Sequence, residues 1–110
     1  MLFFIIELDE ERIKEDGIIN LDIAHRCIEQ TFAQKDITLY KKIGNVRFYT
    51  RNIDKHDFEY LWMMNGLFKN ESWFQYYIKQ WRFMDVDEKT NNIYTDEDLF
   101  EEWVKRPVKP

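Results

Sequence analysis

The stretch Ile37-Thr38-Leu39-Tyr40-Lys41-Lys42-Ile43-Gly44-Asn45-Val46-Arg47-Phe48-Tyr49-Thr50-Arg51 decides the fold. Gly44-Asn45 suits a two-residue hairpin turn with positive φ, and the flanking residues change to a period of two. Such a turn predicts that Ile43 faces Val46, Lys42 faces Arg47, Lys41 faces Phe48 and Tyr40 faces Tyr49. One side of the hairpin then carries Ile37, Leu39, Ile43, Val46 and Phe48, interrupted by Lys41. The other carries Thr38, Tyr40, Lys42, Arg47, Tyr49 and Arg51. Register and sidedness stand or fall together, because a slip of one residue exchanges the two sides.

Upstream, Leu2 to Leu8 is apolar at nearly every position, as expected of a strand covered on both faces, or at least a central one. Asp9 to Lys14, acidic first and basic last before Gly17, reads as one or two helical turns stopped by glycine. Asn20 is a candidate N-cap for a helix running to about Gln34, with Asp22 in its first turn. Its inward stripe is Leu21, Ala24, Ile28 and Phe32, with Cys27 and Thr31 beside it.

Downstream, Asp54 with Asp57 predicts a helix through Phe58, Leu61 and Trp62 to Asn65, ended or bent by Gly66. Ser72-Trp73-Phe74-Gln75 has capping-box form, and Trp73, Phe74, Tyr77, Ile78 and Trp81 predict a further helix to about Phe83. Thr95 with Asp96, Glu97 and Asp98 predicts a last one, anchored by Leu99, Phe100 and Trp103 and closed before Pro107. The order β-α-β-β-α-α-α implies an α+β fold. It is expected to be a small three-stranded antiparallel or mixed sheet with helices packed on it, forming one domain over 1–106 with a tail at 107–110.

At 110 residues, 45% hydrophobic and 34% charged, the composition is that of a globular domain able to fold without metal or disulfides. Cys27 is the only cysteine, which points to a reducing, cytoplasmic location. The apolar start ends at Glu7, too short to cross a bilayer and without the basic region of a signal sequence, so no membrane association is expected. The net charge of −5 is unevenly spread: −5 over 1–36, +4 over 37–56, 0 over 57–84 and −4 over 85–110. This disfavours nucleic-acid binding by the whole domain and favours a charged partner surface.

No pattern supplies a catalytic centre. Asp85, Asp87 and Glu88 resemble the start of a calcium loop, but Lys89 and Thr90 stand where a ligand and the turn glycine belong. They remain weak metal candidates only. His25 and His56 have no partners at metal-ligand spacing, Ser72 already has a capping role, and Cys27 lies beside a buried stripe with only Arg26 as a cationic neighbour. The three glycines form no phosphate-binding loop, so no cofactor is expected.

Two features point to binding. Tyr40 and Tyr49 among Lys42, Arg47 and Arg51 combine stacking rings with phosphate-holding cations, although half-exposed sheets carry the same residue types. Between Phe58 and Trp103 there are thirteen aromatics, of which Tyr60, Tyr76 and Phe83 fall off the helical stripes, an interface-like residue set. The expected function is that of a small acidic non-enzymatic protein-binding domain, such as an inhibitor or immunity-type protein of a bacterial toxin or mobile-element system. A nucleic-acid-binding accessory protein using the hairpin and a structural homodimer are the alternatives.

Overall fold

The computed structural model describes residues 2–51, 71–87 and 89–100. In chain order these form β1 (Leu2–Leu8), α1 (Glu10–Asp16), α2 (Leu21–Ala33), β2 (Ile37–Ile43), β3 (Val46–Arg51), α3 (Ser72–Tyr77), β4 (Ile78–Val86) and β5 (Ile93–Asp98). The fold is α+β. The helix expected from Asp54 to Asn65 and the domain boundary at 106 lie outside the described residues.

The local signals of the first half act as the sequence implies. Asp9 caps α1 by accepting from the Arg12 backbone N–H at 3.2 Å, and Gly17 ends that helix at φ +63° by donating to the Ile13 carbonyl. Asn20 caps α2 through the Ile23 N–H at 3.1 Å. The stripe Ala24, Ile28 and Phe32 is buried, joined by His25.

The sheet corrects the expectation of three strands. Among the described residues it has five, in the order β2-β3-β1-β4-β5, and each of these pairings is antiparallel. Both additional strands come from segments that read as helical. The helix beginning at Ser72 stops at Tyr77, and Ile78–Val86 lies alongside β1. The cause of the misreading is a bulge. Glu7 pairs with Gln80 but Leu8 with Ile78, which leaves Lys79 as an extra residue in β4. The inserted residue sets Ile78 and Trp81 three apart while both join the same core cluster, so a bulged strand imitates helical spacing.

The other reassignment concerns Thr95 to Asp98. These residues end β5 rather than open a helix, with Asp96 paired to Met84 and Asp98 to Arg82. The Arg82 guanidinium donates to Asp96 Oδ1 through Nε at 3.1 Å and Nη2 at 2.6 Å, a cross-strand contact that outweighs the preference of acidic residues for a helix's first turn. Helical backbone begins only at Leu99, whose side chain is fully buried.

The helices pack on one face of the sheet. Phe4, Ile6 and Leu8 of β1, Tyr49 of β3 and Trp81 of β4 meet Ile13, Ile28, Phe32, Phe74 and Tyr77 in one core cluster. The short helices α1 and α3 are tied together beside it. The Tyr77 hydroxyl donates to Asp16 Oδ2 at 2.8 Å, the Asp9 N–H donates to the Tyr77 carbonyl at 2.7 Å, and the Arg12 guanidinium lies 4.4 Å from the Tyr76 ring centre. Burial, reinforced by the bond to Asp16, pushes the Tyr77 phenol up to about 12, so it stays a donor throughout the ordinary pH range. Tyr77→Phe is therefore expected to lower stability by about 1 kcal/mol at neutral pH, read as a shift of the denaturant midpoint with an unchanged slope.

Candidate binding face

Cross-strand neighbours share a face, so the register of β1 sorts the sheet. Phe4 opposes Tyr49 and Phe83 on the helix side; Ile5 opposes Phe48 and Arg82 on the other. In the hairpin, Gly44 takes φ +60°, as its turn position requires, and the first three expected pairs occur: Ile43 with Val46, Lys42 with Arg47, Lys41 with Phe48. Beyond them the register shifts. Tyr49 pairs with Leu39, not Tyr40, so Tyr40 is the extra residue of a bulge.

The insertion moves Leu39 onto the face of Tyr49, whereas β3 keeps its regular alternation against β1 and turns Tyr49 towards the helices. Tyr49, expected on an outer face, is fully buried, with its ring 4.9 Å from that of Phe32. Burial pushes its phenol up to about 12 against the opposing influence of Arg47. Arg47 is engaged by Glu29 of α2 at 3.0 Å, and Lys42, opposite Arg47, is exposed. Arg51 is placed by its pairing with Ile37. The stacking stripe of tyrosines among free cations is thus not assembled.

Two of the off-stripe aromatics, Phe83 and Tyr76, have structural partners. Phe83 packs against Phe4, ring centres 5.3 Å apart, and Tyr76 is held by Arg12, whose Nη2 donates to its hydroxyl. Tyr60 lies outside the described residues. Of the weak metal candidates, Asp87 shapes the turn between β4 and β5: its carboxylate accepts from the Lys89 N–H at 2.9 Å, and its backbone bonds to Asn91 and Asn92. Asp85 is a strand residue between Leu2 and Thr95, and Glu88 lies outside the described residues. Among the described residues no three His, Cys, Asp or Glu side chains converge to hold a metal. The Cys27 thiol is pushed up by burial and by Glu71, which lowers its reactivity.

Tyr40, of the expected set, borders a concave surface. The bulge brings Tyr40 and Lys41, adjacent in sequence, to the border of the same recess on the side of the sheet away from the helix core. The recess has a volume of about 460 Å³. Ile5, only 4% exposed, is its floor, and Phe3, Phe48, Met84 and Val86 supply apolar walls. Asn91, held at φ +59° in the β4–β5 turn, adds a polar edge. The rings are tilted against one another: Phe3 and Tyr40 are 5.4 Å apart at 55°, Phe3 and Phe48 6.3 Å apart at 86°. Lys41 Nζ stands 4.6 Å from the centre of the Phe48 ring.

Phe3, Phe48 and Met84 were not among the residues expected to bind. Their signal lay in the strand assignment itself, since a central strand presents alternate residues to two faces and the described helices pack on one of them. The recess supplies aromatic surface, a phenol and an ammonium. Among the described residues no helix is long and apolar enough to cross a membrane. No protein-family model matches the chain, and neither a curated protein nor a solved structure matches it.

Proposed function

We propose that this chain is a small, cytoplasmic, non-enzymatic protein-binding domain whose contact surface is the sheet face around Tyr40, Lys41 and Phe48. The observation that carries this reading is the aromatic-walled recess on that face, with Tyr40 at its border 58% exposed. An exposed aromatic beside a concave apolar surface is the composition and shape from which binding hot spots are built. Ile43, exposed at the hairpin end, continues the apolar surface beyond the recess. An inhibitor or immunity-type role is the concrete form, supported by the small size of the chain.

Docking through the face is favoured over docking through a sheet edge. Both edge strands, β2 and β5, are bulged, at Tyr40 and at Tyr94, and an interrupted ladder is a poor template for an added strand. The experiment is affinity capture from the native host with the wild-type chain and with the Tyr40→Ala/Phe48→Ala double variant. A partner retained by the wild type and lost by a variant of unchanged circular dichroism is the expected result. Equal retention by both, or none by the wild type, overturns the proposal.

A further inference from the structure

We propose that the recess receives an aromatic side chain of the partner followed directly by a carboxylate, so that the segment recognised is an acidic, aromatic-bearing stretch of protein. This rests on the protein-binding reading above and specifies its chemistry. Three rings, Phe3, Tyr40 and Phe48, already meet at tilted and edge-on angles, and a fourth entering between them continues the same packing.

The charge requirement comes from Lys41. The other cations with described partners are committed: Arg47 to Glu29, Arg82 to Asp96, Arg12 to Tyr76. Lys41 has no carboxylate within ion-pair range among the described residues, and its ammonium is held over the Phe48 ring at the border of the recess. An incoming carboxylate at that border completes an ion pair next to the anchored ring.

The same face argues against a nucleic acid. Asp96 and Asp98, opposite Met84 and Arg82, put carboxylates on it, and among the described residues of the recess the one ammonium of Lys41 is a small counterweight to them for a polyphosphate. The exposure of Tyr40 argues for an anchor presented by a chain, because sites for free small molecules enclose most of their ligand.

The test is an NMR titration of the full chain, following the backbone amides of residues 40, 41 and 48, with three capped tetrapeptides: Gly-Trp-Asp-Gly, Gly-Trp-Asn-Gly and Gly-Leu-Asp-Gly. The acidic tryptophan peptide is expected to bind about threefold more tightly than its asparagine counterpart at low salt, and about tenfold more tightly than the leucine peptide. High salt and Lys41→Met each abolish the first difference while leaving the second. Tyr40→Ala weakens both tryptophan peptides alike. Equal affinities for the aspartate and asparagine peptides, equal affinities for tryptophan and leucine, or no binding of any peptide overturns the inference. Partner capture that still depends on Tyr40 and Phe48 in any of those cases leaves the protein-binding proposal standing, so the two failures are distinguishable.

Discussion

Trp81→Ala is expected to destabilise the protein by about 4 kcal/mol, a large fraction of the 5–15 kcal/mol that holds an ordinary domain folded. Trp81 is completely buried on the helix side of β4. Its ring meets Phe74 edge-on, 5.0 Å between centres at 85°, and it opposes Ile6 of β1 in the ladder. It therefore links three parts of the core: central strand, added strand and the short helix α3. Truncation removes the transfer free energy of a large aromatic group and leaves a cavity that a five-stranded sheet, paired on both sides of β1, cannot collapse to fill. Urea unfolding followed by circular dichroism measures the effect. A loss below about 1 kcal/mol would mean that the ring is not the core element its burial implies. Phe48→Ala, on the opposite face, is half-buried and supplies the internal comparison, with a smaller loss expected.

Trp81 also shows why the fold was only partly legible from the sequence. Caps and turns are local, and Asp9, Gly17, Asn20 and Gly44 announce their elements without reference to the rest of the chain. The hairpin was legible for the same reason as far as Lys41 and Phe48, where the turn still sets the pairing. What failed in each strand was the count across an inserted residue. Lys79 turns period two into the three-residue step from Ile78 to Trp81, and the bulge at Tyr40 moves Leu39 onto the face of Tyr49. A bulge is stabilised by the neighbouring strand, so nothing local marks it. The acidic run from Asp96 to Asp98 misled for a related reason, because its partner Arg82 lies fourteen residues away. The candidate site inherits these errors. Tyr40 reaches it through one bulge, while the helix side of β1 and the recess side read identically as apolar residues.

Acidification is expected to destabilise the protein through His25, by an amount approaching but not exceeding about 3 kcal/mol between pH 6.5 and pH 4. His25 is 6% exposed on the buried stripe of α2, and neither ring nitrogen has a hydrogen-bond partner among the described residues. Burial is the largest influence on it. Arg47 and Lys42, reaching it from β3 and β2, add positive potential, and Asp22 at the start of α2 opposes them. Glu10 of α1 approaches Nε2 only to 3.9 Å, too far for a hydrogen bond. The net result is a pKa lowered from 6.5 to about 4 in the folded chain. Above pH 6.5 the imidazole is neutral in both states and stability is unaffected. As pH falls from 6.5 towards 4 the unfolded chain takes up the proton and the folded chain does not, so stability drops with each unit until both states are charged.

Carboxylate protonation contributes to any acid transition, so the wild-type profile alone is insufficient. His25→Leu removes the titration and the two unpartnered ring nitrogens while keeping an apolar side chain of similar size. Its stability relative to the wild type is expected to improve by about 2 kcal/mol on moving from pH 7.5 to pH 4.5, measured as the difference in urea unfolding free energies at the two values. Parallel pH profiles for the two proteins would show that His25 protonates in place. The Glu10 carboxylate would then have moved in to pair with it, and α1 would be the element that yields.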